Sequence, residues 1–356
     1  MALLGANIRY AKSDLHTLSI SKNQIDISLE YRLLNDTVDI FNLKEKELGG
    51  IKGFASIGDL NGYGISLRYG IKSNLMIDYK HDTDSIEYLS DTMKNSRDEL
   101  YLRYHLFEND FAYFNSGVSF DIGYMRNSLD DFYLKDIKAI NEMIKRVLPG
   151  KDAKLLYSDG VTPFSGEPFA RTKGYYSYFN HTMTKLAKDP YISITNTKDD
   201  SFFLRVLSGF NTDKKVFDMY TGYRYTKIKS TISSTDEIVR LAKTKGYDLK
   251  KILDRDENML FLGFNYSQNI KRFIYEFNYE YDRFFRGSGL GYLNSNHIIN
   301  ASISYVLDKN TLLSLGGKIM YRQFNGVIPY LYNKYTQTTF DHKYGYMTFG
   351  IEYKFK

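Results

Sequence analysis

The chain has 356 residues, a formal charge of +6, 33 Tyr, 24 Phe, no Trp and no Cys. Its mean hydropathy is −0.42. No run reaches the roughly 18 apolar residues of a membrane helix, so a helical membrane protein is excluded. The lack of cysteine excludes disulfides, thiolate-held zinc and thiol catalysis. Lys and Arg are scattered, which leaves no nucleic-acid footprint. The N-terminus from Met1 to Lys12 lacks the basic and apolar regions of a secretory signal. If the protein is exported, its signal has been removed.

Apolar and polar residues then alternate with period two, the signature of strands with two unlike faces. Leu4, Ala6, Ile8 and Tyr10 alternate with polar or small neighbours and predict a first strand. Ile25 to Leu33 predicts the next, with Asp26, Ser28, Glu30 and Arg32 on its other face. Tyr63 to Tyr69 opposes Ser66 and Arg68, and Leu75 to Tyr79 opposes Asp78 and Lys80. Leu100 to Leu106 carries Arg103, and Phe114 to Tyr124 carries Asp121. Phe202 to Val206 carries Arg205, and Phe217 to Tyr225 carries Asp218 and Arg224. Leu260 to Tyr266 leads to the cleanest strand, where Phe273, Tyr275, Phe277, Tyr279 and Tyr281 oppose Glu276, Asn278, Glu280 and Asp282. Ile299 to Tyr305, Leu313 to Tyr321 (with Lys318 and Arg322 opposed) and Met347 to Phe355 complete the series.

Connections alternate between short turns and long loops. The short turns fall near 34–36, 72–74, 108–110, 211–214, 268–270 and 307–309. The long loops fall near 83–96, 127–173, 231–256, 285–295 and 323–342. A transmembrane barrel with short periplasmic turns and long extracellular loops has this form, and a β-sandwich has no reason for it. The five prolines all avoid the clear strands. Strands 24–33 and 62–71 are read as running the same way, which requires one more strand near 37–56 and gives fourteen. A further pair, Tyr175 to Lys185 and Tyr191 to Asn196, would give sixteen. Within the loops, Ser128 is placed as the cap of a helix running to Leu148. Ser234 to Glu237 matches a capping box, and a short helix follows from Asp248 to Leu253.

The closing segment, from Tyr344 through Tyr346, Phe349, Ile351 and Tyr353 to Phe355, resembles the last strand of Gram-negative outer-membrane β-barrel proteins. Those alternate apolar residues up to a near-terminal Phe; here Lys356 follows it. The resemblance implies one up-and-down barrel over residues 1–356 in the bacterial outer membrane. Its partners would be outer-membrane lipid, lipopolysaccharide and, during biogenesis, the barrel assembly machinery.

On this register Arg68, Arg103, Arg205, Arg224, Lys318 and Arg322 face inward, with Asp121, Asp218, Glu276, Glu280 and Asp282. Arg9, Arg32, Lys80, Lys354, Asp26, Glu30, Asp78 and Glu352 join them. A wet lumen of fourteen or more strands is wider than side chains fill, and such charges select solutes. Arg103, Arg205 and Arg224 are expected to face an acidic wall of Glu276, Glu280 and Asp282. The function expected is passive passage of small hydrophilic solutes, with no cofactor. Three other readings stay open. Loops 127–173 and 231–256 could form an apolar groove, similar to the long-chain fatty-acid transporter family, although no Asn-Pro-Ala motif is present. A plugged surface barrel is the second. An outer-membrane hydrolase is the third; its nearest text, Ser295-Asn296-His297 and Asn180-His181-Thr182, does not reproduce the phospholipases' His-x-Ser-Asn spacing, and the pairs His81 with Asp82 and Asp341 with His342 are neighbours on opposite strand faces.

Overall fold

The computed structural model describes residues 21–39, 47–48, 51–52, 58–88, 91–110, 115–134, 192–212, 214–234, 251–252, 254–286, 294–322 and 343–355. Wherever apolar and polar residues alternate there, the backbone is extended. The strands are β1 (Ile25–Leu34), β2 (Glu47–Leu48), β3 (Ile51–Lys52), β4 (Leu60–Lys72), β5 (Leu75–Tyr88), β6 (Asp91–Asp110), β7 (Asn115–Leu129) and β8 (Phe132–Leu134). They continue with β9 (Ile192–Asn211), β10 (Lys215–Ser234), β11 (Lys251–Ile252), β12 (Arg255–Ile270), β13 (Phe273–Phe285), β14 (Ser295–Val306), β15 (Thr311–Met320) and β16 (Tyr344–Phe355).

Twelve of these close into one antiparallel ring, in the order β1, β4, β5, β6, β7, β9, β10, β12, β13, β14, β15 and β16. β16 closes it by pairing with β1, from Phe355 opposite Ile25 to Met347 opposite Leu33. β8 lies on β9 and β11 on β10, as short additions beyond the ring. β2 and β3 form a separate two-residue hairpin.

The ring therefore has twelve strands, not fourteen or sixteen. The extra strand near 37–56 was required only by giving 24–33 and 62–71 the same direction. Those segments are antiparallel neighbours, with Leu29 opposite Ile65, so no intervening barrel strand is needed. The expected strands at Leu4 to Tyr10 and Tyr175 to Lys185, and with them Arg9, lie outside the described residues. Tyr191 to Asn196 is not a separate strand: Ile192 onward is the first part of a continuous β9. Asn196 takes a positive φ of 54° there, beside the irregularity between Lys229 and Thr231 of β10.

The helix starts are corrected as well. Ser128 belongs to β7, opposite Ser96 and Lys198, and shares a 2.8 Å hydrogen bond with the Ser96 hydroxyl. Ser234 ends β10 opposite Ile192. Lys251 and Ile252 pair with β10 where a short helix was expected. In each case the edge of an adjacent long strand gives the backbone partners that a local helix would otherwise supply. Residues 135–191 and 235–250 lie outside the described set. The expected long connection at 83–96 is a hairpin, paired out to Tyr88 opposite Asp91.

Facing follows from burial. On β4, Tyr63, Ile65, Leu67 and Tyr69 are exposed by 36–59%. Leu60, Gly62, Gly64, Ser66, Arg68 and Gly70 between them are buried. The exposed set runs tyrosine, two aliphatics, tyrosine over about 20 Å at ~3.3 Å per residue. That is an outward apolar band with an aromatic girdle at each edge. The turns after β4, β6, β9, β12 and β14 lie at one end, while the turn expected at 34–36 follows β1 at the other, beside the β5–β6 hairpin tip. The Asp308 carboxylate fixes the turn after β14 by accepting from the Asn310 and Thr311 amides at 2.7 and 2.9 Å. The β5–β12 side is tall, with strands of 14–20 residues, and the β13–β1 side is short, with 10–13.

Inside the tall side, rings lie across neighbouring glycines. A Cβ on Gly123 would enter the Phe203 ring and come within 2.8 Å of Tyr101 Cβ. A Cβ on Gly222 would enter the Phe261 ring, and one on Gly263 the Tyr220 ring. The glycines let large rings lie flat on the sheet. Gly123→Val is expected to cost about 1–3 kcal/mol by overpacking, seen as a lower urea midpoint in vesicles. Adding Phe203→Ala should return part of the loss; a double variant no better than Gly123→Val would contradict this packing.

Candidate functional site: the charged lumen

The inward faces form two unlike walls. On the tall side, cross-strand neighbours carry opposite charges and close on one another. Arg103, Asp121 and Arg205 sit in direct register on β6, β7 and β9. Arg103 donates to both Asp121 oxygens at 2.7 and 2.9 Å, and Arg205 Nε donates to Oδ2 at 2.8 Å. Asp121 is 0% exposed and Arg103 1%. Both guanidiniums lie over the Tyr101 ring, at 5.5 and 5.3 Å from its centroid. The Tyr101 hydroxyl donates to Asp78 at 3.1 Å, and Arg68 Nε donates to the same oxygen at 2.7 Å. The network thus runs across five strands, β4 to β9.

Nearer the loop end, Arg32 gathers Asp82 at 2.6 Å, Asp84 at 3.0 Å and the Tyr63 carbonyl at 2.8 Å. The missing Cβ atoms of Gly62 and Gly64 leave the space that those two carboxylates occupy. Arg97 donates to Asn127 at 2.6 Å, and Asn127 donates to Asp199 at 2.8 and 3.0 Å. Arg255 and Arg286 share Glu257 at 2.7 and 2.9 Å.

The opposite wall mixes serine, threonine and glycine with larger polar and charged residues. One inward row reads Glu276, Ser302, Gly316 and Thr348 across β13 to β16. The row above reads Asn278, Asn300, Lys318 and Tyr346. Below it, Ser304, Ser314, Gly350 and Glu30 lie side by side. Glu276, Glu280, Asn300, Ser302, Gly316, Lys318, Tyr346 and Thr348 are half-buried, so solvent reaches them. Ser302 donates to Glu276 at 3.1 Å, Tyr220 to Glu280 at 3.0 Å, and Asn300 to Asn278 at 3.0 Å.

The structure places the described inward charges read from the sequence on the inward faces of their strands, Asp218 included; Arg322 lies just beyond the end of β15, its guanidinium 5.1 Å from the Tyr321 ring centroid. It groups them in part differently from expectation. Arg103 and Arg205 meet Asp121 on the strand between them, not the acids of β13. Arg224 lies over the Phe261 ring at 5.7 Å and, as expected, also acts electrostatically on Asp282 of β13. Asp82, Asp84, Arg97, Glu99, Asp199, Arg255, Glu257 and Arg286 also face inward. They lie in, or just outside, stretches read as loops or left unassigned, although the alternation His81 to Ser85 against Asp82 and Asp84 was visible.

Among the described residues, the hydrolase candidates do not assemble. His297 points outward from β14, its Nδ1 2.8 Å from the Tyr279 hydroxyl, among the rings of Tyr281 and Tyr321. His81 pairs with Asp98 at 2.8 Å on the outer face. His181 and His342 lie outside the described residues.

Removing Asp121 would leave two buried guanidiniums facing each other. Asp121→Asn is therefore expected to cost about 3–5 kcal/mol, measured as urea unfolding in vesicles. Arg205→Gln should cost less, because Arg103 keeps its two bonds. Wild-type stability in Asp121→Asn would contradict the buried triad.

No protein-family model matches the chain, and no curated protein matches it in sequence. Solved barrel structures align with it over most of its length, at low identity. The translocator domain of autotransporter NalP from Neisseria meningitidis aligns with a TM-score of 0.44 and 10% identity, over 94% of this chain and 90% of that one. The NanC porin aligns with a TM-score of 0.41 and 7% identity, over 92% and 98%. The KdgM porin aligns with a TM-score of 0.35 and 11% identity, over 94% and 99%. By its own geometry, a closed antiparallel ring with an apolar, aromatic-edged exterior and a charged interior, the chain is a β-barrel protein of the outer-membrane type.

Proposed function

We propose that the protein is an outer-membrane channel that passes small hydrophilic solutes by diffusion along the β13–β16 side of its lumen. One observation carries this reading: the two walls differ in side-chain size. Tyr101, Phe203, Tyr220 and Phe261 fill the tall side. Ser302, Gly316, Thr348, Ser314 and Gly350 line the other. The passage is off-centre and polar, bordered by Glu276 and Glu280 on one flank and Lys318 on another. Fixed charges at such a passage bias which ions enter.

Arg68, Arg103, Arg205 and Asp121 hold the tall wall together in this account, while Glu276, Glu280 and Lys318 tune selectivity. Planar-bilayer recordings under a salt gradient test the division. Glu276→Gln with Glu280→Gln should shift the reversal potential away from cations, and Lys318→Gln should shift it toward them. Gly316→Phe should cut the conductance by at least half. A correctly folded barrel with no conductance would overturn the channel reading, as would a Gly316→Phe barrel that conducts like wild type.

A further inference from the structure

The outer face of the tall side carries a second charged feature, at the loop end beyond the aromatic girdle. Outward residues of β10 run Tyr223, Tyr225, Lys227 and Lys229. Across from them on β9 stand Phe202, Asp200 and Lys198; Tyr225 faces Phe202, Lys227 faces Asp200, and Lys229 faces Lys198. Lys198, Lys227 and Lys229 are all exposed. Two lysines directly opposite on adjacent strands repel one another and weaken the pairing.

Each described carboxylate nearby has another partner, although Asp200 is also within electrostatic reach of Lys198. Asp200 accepts from Arg126 at 2.8 Å and from the Tyr124 hydroxyl. Asp256, across from Lys227 on β12, accepts from the Tyr225 hydroxyl. Asp254 accepts from the Ser230 amide at 3.2 Å. The Ser128 hydroxyl borders Lys198 on the other side, in register on β7. The facing lysines thus form a cationic pair about 13 Å along the strands from Tyr225 and Phe202, on the outward face at the loop end.

We propose that Lys198 and Lys229, supported by Lys227, clamp a phosphate of a phosphorylated glycolipid in the outer leaflet. The inference rests on reading the chain as an outer-membrane barrel with its long loops outside. An anionic phosphate between the two amines removes their repulsion, and its acyl chains continue down the band over Phe202, Leu204 and Val206, each exposed by 43–61%. Charge complementarity selects this occupant: a neutral headgroup at the same height offers no counter-charge.

Binding of the folded barrel in detergent to a bisphosphorylated lipid A-type glycolipid, and to the same lipid dephosphorylated, tests the clamp. The phosphorylated lipid should bind about tenfold tighter or more. Lys198→Gln with Lys229→Gln should remove that preference and leave the dephosphorylated lipid unaffected. Lys214→Gln, at the short-turn end, should change neither. Equal affinity of wild type for the two lipids overturns the proposal without any variant. So does an equal loss in Lys214→Gln, or competition by inorganic phosphate that abolishes glycolipid binding, which would assign the pair to free anions. Because conductance is read separately, an absent lipid preference with open channels refutes the clamp alone.

Discussion

Every backbone amide and carbonyl inside a bilayer needs a partner within the protein, because lipid offers none. In this chain the ladder between β1 and β16 meets that requirement. Without it the sheet would have two open edges at membrane depth. With it, twelve strands form a ring in which each residue points either to lipid or to the lumen. The period-two sequence then does the rest: it places tyrosine and aliphatic side chains outside and arginine and aspartate inside.

The interior shows how such a ring tolerates its charges. Oppositely charged residues stand on adjacent strands in register, so each pair is made across one ladder step. Asp121 between Arg103 and Arg205 is the clearest case. Glycines opposite large rings let those rings lie along the wall. The result is a lumen filled from one side, with serine, threonine and glycine among the residues of the other. In the proposed channel, the charges of the tall wall act on stability and those of the opposite wall act on solutes.

The facing of the strands was legible in the sequence because one period fixes it. Phe273 to Asp282 reads as a lipid face and a lumen face with no further information, and the structure pairs it as such on both sides. Strand number was not legible. It depends on which strands are neighbours, and the direction assigned to 24–33 relative to 62–71 decided the count wrongly. The caps at Ser128 and Ser234 misled for a related reason. A serine before an amphipathic run caps a helix only if no strand edge competes for the same backbone, and β9 competes at both. The lumen's groupings were hidden as well, since Arg103 reaches Asp121 through a register that a single sequence does not state. The lysine pair was half legible: Tyr223 to Lys229 alternates tyrosine and lysine, but its other member, Lys198, lay beyond the expected strand.

The central claim is the facing of each residue in a membrane-spanning ring with one wet wall. The chain has no cysteine, so single cysteines can be placed along β13 and β14 and labelled in lipid vesicles with a membrane-impermeant thiol reagent. Positions 276, 280, 300 and 302 should label, 275, 277, 299 and 301 should label only with a lipid-phase reagent, and 121 should resist both. Aqueous labelling at 275 and 277, or equal labelling of neighbours along the strand, would contradict the account.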